Sequence, residues 1–304
     1  MSRSDAWRVS SATAVVCCVQ TFTVVVFAQS MLLERIPCGP HVAEGGIAAV
    51  GDAGAFAVAA NPAMLAAQRY RMVLDTGSLW YFAGSGMLQV AAAVRESRGR
   101  LVAGTAAGWF DSGEFGITDL EGRLTGARAR YTATILLLGV GFSPARHLKL
   151  GAGIYTVTDN PGGMQSGARL GAVYSPEMRT AFLDGFVAGA TVNGIGQGNG
   201  AAYELGVGVE VPRTGRISVG VSLYGSPREP ARCSIGYRRM LLDDVRLRRS
   251  FVLQAGVDGI NLLGIGGAPS VGFLAGYREF VVGYAAIAHL PLGFVHQLSA
   301  GARW

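Results

Sequence analysis

The chain offers few groups that could do covalent or metal chemistry. It has four histidines, His41, His147, His289 and His296. No two of them lie at metal-ligand spacing, and no cysteine pair is spaced for zinc. Gly194-Ile195-Gly196-Gln197-Gly198-Asn199-Gly200 has the composition of a nucleotide-cradling loop. It lacks the following helix that a dinucleotide fingerprint requires, so a flexible external loop is the better account. Asp243-Asp244 could hold calcium, but Arg239 and Arg246 flank the pair, which favours a solvated charge cluster. His296 with a serine on a neighbouring strand could form a nucleophile–base pair for a hydrolase. An isolated histidine near an aromatic rim is more often structural. These residues therefore predict no enzyme, no metal and no cofactor, and the chemistry must lie in what the whole chain can enclose.

Of the 304 residues, 50% are hydrophobic and 15% charged, with mean hydropathy +0.34. An average soluble domain carries about 25% charged residues. Yet the longest apolar run, Phe280 to Val295, is broken by Gly283, His289, Pro291 and Gly293, and a helical span needs roughly 18 or more predominantly apolar residues. Lipid admits one other way to satisfy every backbone group, the closed β-barrel. The net charge of +6 contains a single lysine, Lys149. The arginines are scattered, with no basic helix or aromatic-interleaved stripe, so nucleic acid is an unlikely partner on electrostatic grounds; strand ends meeting anionic outer-membrane lipid fit better.

Arg3 and Arg8, the mostly apolar Val9–Phe27 and a small residue at Ala28 read as a signal peptide over residues 1–28. Removing it leaves Cys38 and Cys233, too few for a disulfide scaffold and undecided as a pair. The 45 glycines exceed the norm of roughly 7% about twofold. Many interrupt strand-like runs, among them Gly151, Gly153, Gly206, Gly208 and Gly220. Interior glycine weakens a strand unless the wall bends or something approaches closely.

From Tyr70 onward the chain divides into about fourteen strand-like runs: 71–80, 86–95, 100–110, 128–141, 147–158, 166–175, 181–193, 200–211, 215–225, 231–242, 249–258, 268–277, 279–290 and 293–304. Most have the length that a tilted strand needs to cross a bilayer. The expected class is all-β, an antiparallel transmembrane β-barrel of about fourteen strands over residues 70–304. The longest connection, Asp111 to Ala127, is expected as an external loop. The last run shows the alternation most clearly. His296, Leu298, Ala300, Ala302 and Trp304 share one face; Val295, Gln297, Ser299, Gly301 and Arg303 share the other. An apolar outer face, a polar or small-residue inner face and an aromatic at the rim suit a barrel in lipid. His296 and Arg239 fall on nominal outer faces and must lie near a rim, because mid-membrane charge is costly. The inner faces carry small residues and some aliphatics, such as Leu274, Val281, Ala285 and Ile287, which suggests a plugged lumen rather than a water-filled one.

Residues 29–69 differ. Gly46, Gly51 and Gly54-Ala55-Phe56 lead into Asn61-Pro62-Ala63-Met64-Leu65-Ala66. Pro62 fixes φ and removes a donor, so a turn and a short helix from Ala63 are expected. The segment is too small and apolar to form a core alone. This pattern resembles the N-terminal hatch of the long-chain fatty acid outer-membrane transporter (FadL-like) family, including related uncharacterised spirochaete barrels and PorV-like proteins. Asp52-Ala53 replaces a smaller, less charged pair, and the stretch from Phe56 to Asn61 is several residues shorter than in the family.

The resemblance implies a fourteen-stranded barrel of the bacterial outer membrane, plugged by a hatch. It implies passive uptake of hydrophobic molecules, long-chain fatty acids or similar lipids. Gly51, Gly54, Asn61 and Pro62 would then set hatch geometry, and Phe56, Met64 and Leu65 would touch ligand. The terminal Trp304 resembles the signal read by barrel-assembly machinery. A non-transporting secretion scaffold and a general porin are the alternatives.

Overall fold

The computed structural model describes residues 47, 49–51, 54–80, 84–118, 124–160, 162–177, 185–195, 201–212, 214–224, 231–244, 246–261, 267–289 and 293–304. The expected signal peptide and Cys38 lie outside them. Fourteen antiparallel strands close into one barrel, each paired with its neighbours in sequence and the last with the first. They are β1 (Met72–Trp80), β2 (Gly86–Arg95), β3 (Leu101–Thr118), β4 (Leu124–Ala145), β5 (Leu148–Asn160), β6 (Gly163–Tyr174) and β7 (Gly185–Ile195), followed by β8 (Ala202–Val211), β9 (Gly215–Tyr224), β10 (Arg232–Asp244), β11 (Arg249–Asn261), β12 (Ala268–Tyr277), β13 (Phe280–His289) and β14 (Gly293–Arg303). Closure runs from Val73↔Arg303 to Trp80↔His296. It continues past the strand, where the Trp304 N–H donates to Met72 O at 3.0 Å and Trp304 O accepts from Arg71 N and Met72 N. A closed sheet leaves no edge strand open to pairing.

Alternation follows the sequence. Leu298, His296 and Trp304 face out; Val295 and Gln297 are buried inside. The outer wall is apolar from rim to rim, with Leu138, Ile154, Leu170, Leu205 and Val271 all strongly exposed. Two aromatic belts bound it. Tyr70, Phe142, Tyr174, Tyr277, Phe280 and Trp304 ring the rim where β1 begins and β14 ends, here the proximal rim. Trp80, Trp109, Tyr203 and Phe294 mark the distal one. An apolar band between aromatic girdles is the surface a barrel presents to hydrocarbon.

One sequence expectation needed correction. Asp111–Ala127 is mainly strand, because β3 and β4 run on as a two-stranded extension beyond the distal belt. Its register shifts between Asp111 and Glu114. Charge pairs hold it: the Arg130 guanidinium bonds both carboxylate oxygens of Asp111, and Arg128 Nη1 lies 2.8 Å from Glu114 Oε2. The Arg130 hydrogen bond keeps the Asp111 carboxyl below its usual pKa. Alternation was hidden here because a hairpin beyond the belt needs no apolar face. His296 lies near the distal rim, as expected, in register with Trp80. Its Nδ1 lies 2.7 Å from the Tyr284 hydroxyl, and its ring sits beside those of Tyr284 and Phe294. The histidine is satisfied by a tyrosine, not by the serine that hydrolase chemistry would need.

Arg239 is exposed, as expected near a rim. It stands beside the start of β9, where the β9–β10 pairing stops at Arg238↔Arg216. In the turn that follows β10, Asp244 Oδ1 accepts from the backbone N–H groups of Arg246 and Leu247, each at 3.0 Å.

Candidate functional site

The lumen is occupied by the segment that could not form a core alone. A 3-10 turn at Gly54–Phe56 leads into one α-helical turn at Ala57–Ala60 and a 3-10 stretch at Pro62–Ala67. Nearly all of it is buried: Phe56, Val58, Asn61 and Leu65 are each within 1% of complete burial. The helical turn fills the short interval between Phe56 and Asn61. Asn61 is extended, at φ −138°, and its Oδ1 caps the next turn by accepting from Ala63 N at 3.0 Å, with Pro62 at the first helical position. The cap satisfies a donor that has no intrahelical partner, and Pro has no N–H to satisfy.

Long-range bonds fix this hatch at both ends. Asn61 Nδ2 donates to Ala49 O at 2.8 Å and reaches Ala190 O on β7 at 3.5 Å. Glu204 on β8 accepts from Ala49 N at 2.9 Å, and Arg216 on β9 donates to Val50 O at 2.6 Å. Asp75 on β1 accepts from Ala55 N at 2.6 Å. Gln68 donates to Gly54 O at 2.5 Å, and Arg95 donates to Gln68 O at 2.8 Å where the chain leaves the hatch. Hydrogen bonds to charged partners in a water-poor interior are the stronger kind.

Between these anchors the hatch lies on a seam of wall glycines. Gly104, Gly139, Gly141, Gly151, Gly171, Gly189, Gly206 and Gly220 cross seven consecutive strands, β3 to β9. Several pair directly: Gly141↔Gly151, Gly151↔Gly171 and Gly206↔Gly220. A Cβ at Gly151 would overlap Ala63 N and the Pro62 carbonyl carbon. One at Gly171 would overlap Asn61 Oδ1, and one at Gly189 Ala49 O. At Gly141 it would come within 2.7 Å of Ala66 N, and at Gly104 within 2.9 Å of Leu65. Close backbone approach therefore explains much of the glycine in these strands. Gly54 has a separate requirement: its φ is +57°, and a Cβ there would strike the Asp75 carboxylate.

All the residues expected from the sequence fall in this assembly except Trp304, which closes the sheet. Gly51 is buried and its N–H donates to Ile47 O at 3.1 Å, a tight turn. Gly54, Asn61 and Pro62 shape the hatch. Leu65 faces the seam at Gly104, while Met64 is only partly buried and packs on the core. Phe56 borders a void shared with Asp75, Leu274, Val281 and Ser299. Asp52 and Ala53 lie outside the described residues. Sequence reading missed the anchors Asp75, Glu204 and Arg216. Each is an inward charge in a strand that otherwise alternates, the one signal that could have singled them out. Distal to the hatch, the lumen continues as an apolar cluster that includes Leu79, Met87, Val157, Ile287 and Val295, beside the buried polar groups Gln89, Asp159 and Ser270.

No protein-family model and no curated protein sequence matches this chain. Solved structures do match. The toluene transporter TbuX of Ralstonia pickettii superposes with a TM-score of 0.60 at 15% identity, covering 88% of this chain and 98% of that one. The P. putida toluene transporter TodX gives 0.57 at 13%, over 88% and 98%. A Pseudomonas aeruginosa FadL homologue gives 0.58 at 11%, over 88% and 97%. At such identities the likeness is one of fold alone.

Proposed function

We propose that this chain is a bacterial outer-membrane barrel for passive uptake of hydrophobic molecules, with long-chain fatty acids as the substrate class. The observation that carries the reading is a lumen plugged in its proximal half by a hatch bonded to five strands, beneath a distal half whose apolar cluster is interrupted by the buried polar groups Gln89, Asp159 and Arg169. Such a filled lumen offers hydrocarbon apolar contact and leaves little room for a continuous water column, unlike the open polar interior of a porin. Ligand enters the distal lumen down its own gradient and meets Phe56, Met64 and Leu65. It passes when the hatch, hinged around Gly51 and Gly54 and held by Asn61 and Pro62, shifts. Residues 1–28 direct export and are removed, residues 29–69 form the whole hatch unit, and 70–304 the barrel. The solved toluene transporters of the same fold support hydrophobic cargo in general; the fatty-acid class rests on the hatch pattern of residues 46–66.

In a strain lacking its own fatty-acid transporter, the wild-type chain should restore uptake of a labelled long-chain fatty acid. The double substitution Asn61→Ala and Pro62→Ala should cut the rate by at least about tenfold, because Asn61 alone contributes about 2–3 kcal/mol through its cap and its bond to Ala49 O. Uptake unchanged by the double substitution would refute the hatch's role.

Trp304 is proposed as the mark read by barrel-assembly machinery, in addition to its closure bonds to Arg71 and Met72. Deleting it should lower the amount of heat-modifiable barrel in the outer membrane several-fold while export continues. A normal yield of folded barrel would remove Trp304 from that role.

A further inference from the structure

The wall away from the glycine seam is built differently. There β11, β12, β13 and β14 turn Gln254, Leu274, Ala285, Gln297 and Ser299 inward around a small niche. Gln297 is 2% exposed, and among the described residues neither its Nε2 nor its Oε1 has a hydrogen-bond partner. Its register neighbours are Leu79 on β1 and Ala285 on β13, whose side chains can neither donate nor accept. A buried amide with both ends unmet is costly, and leucine would fill the same position without that penalty. Gln254 is 3% exposed and, with the Ser299 hydroxyl, makes one end of the niche polar.

A second void lies beside the niche on the side of the hatch. It shares Leu274 and Ser299 with the niche and is bounded by Phe56, Val281, Asp75 and Arg303. A polar niche thus adjoins a void that reaches the aromatic ring of the hatch. The niche itself has room for little more than one water-sized group. It suits a head group and not a whole ligand. Among the described residues no charged side chain lines it, and Asp75 and Arg303 border only the adjoining void, so an ionised carboxylate seated in the niche would have no counter-ion in contact and would face the Gln297 carbonyl oxygen. A neutral group that both donates and accepts matches the two ends of the amide.

We propose that Gln297, with Gln254 and Ser299, forms a head-group subsite that takes the hydroxyl or un-ionised carboxyl of an otherwise apolar ligand. The inference rests on the channel reading and narrows its cargo from hydrophobic molecules in general to amphiphiles with one neutral polar end, such as a protonated fatty acid. Seating the head there lays the apolar tail toward Phe56, where hatch movement would release it.

The test uses the full chain purified in mild detergent, with equilibrium binding of radiolabelled 1-dodecanol and dodecane. Wild-type protein should prefer dodecanol by about fivefold, the net worth of one buried hydrogen bond. Gln297→Leu should abolish the preference while leaving dodecane binding intact, and Gln297→Met provides a second apolar variant if the leucine form fails to give heat-modifiable barrel. Dodecanoate should compete with dodecanol better at pH 5 than at pH 8, because only its protonated form fits. Equal binding of dodecanol and dodecane by wild type, or a preference that survives both substitutions, would overturn the subsite and leave the channel reading standing. Failure of both compounds to bind would overturn the two together.

Discussion

Gly151→Val is expected to eject the hatch from a barrel that still folds. The new Cβ would fall on Ala63 N and the Pro62 carbonyl carbon, both backbone and therefore unable to swing aside. Overpacking that side chains can absorb costs about 1–3 kcal/mol; against a peptide bond that cannot swing aside the upper end applies. Loss of ~3 kcal/mol of docking raises the undocked fraction about a hundredfold. Amides of residues 54–67 should exchange with solvent correspondingly faster. Single-channel recordings should change from a closed or flickering trace to stable openings, because the hatch is the main occupant of the proximal lumen. Ala152→Val is the control, one residue along and exposed on the outer wall, where a larger aliphatic group gains contact with lipid. Unaltered exchange and conductance in Gly151→Val would mean that the hatch does not rest on the seam.

The second large effect lies in a pair of substitutions. Asn61→Ala removes the bond to Ala49 O and the cap on Ala63 N, together worth about 2–3 kcal/mol of hatch docking. Gly171→Ala alone should be comparably damaging, because its methyl would overlap Asn61 Oδ1. In the double variant the amide is gone and the methyl occupies the vacated space. The double variant should therefore be less damaged than the sum of the two, by about 1–3 kcal/mol in a double-mutant cycle read from hydrogen exchange of the hatch amides. Simple additivity would show that Asn61 and Gly171 do not meet.

The sequence was most legible where one physical requirement repeats locally. Each crossing strand needs an apolar face of bilayer length, so runs such as 86–95 and 268–277 coincide with β2 and β12, and the β14 faces fall where alternation puts them. The β3–β4 extension was misread because beyond the distal belt the requirement lapses, and Asp111, Glu114, Arg128 and Arg130 pair across the hairpin instead of alternating with apolar residues. The hatch was recognisable from Asn61-Pro62 and the glycines before it. Its anchors were not: Glu204 and Arg216 lie 155 and 166 residues from the backbone groups they hold, and only barrel register brings them there. The same holds for the glycine seam. The excess of glycine was visible in composition, but a continuous row from Gly104 to Gly220 exists only once seven strands are in register. Gln297 stood on the polar face of its strand from the start; what composition could not reveal was that nothing beside it would satisfy the amide.

The central claim is a plugged conduit that passes hydrophobic molecules and holds back polar ones. It is tested most directly by comparing two fluxes in one transporter-null strain expressing the chain at a matched level of folded barrel: entry of a labelled long-chain fatty acid, and entry of a small sugar below porin size limits. The account predicts restored fatty-acid uptake with sugar entry at the background of the empty strain. Sugar entry rising with expression while fatty-acid uptake stays flat would contradict it.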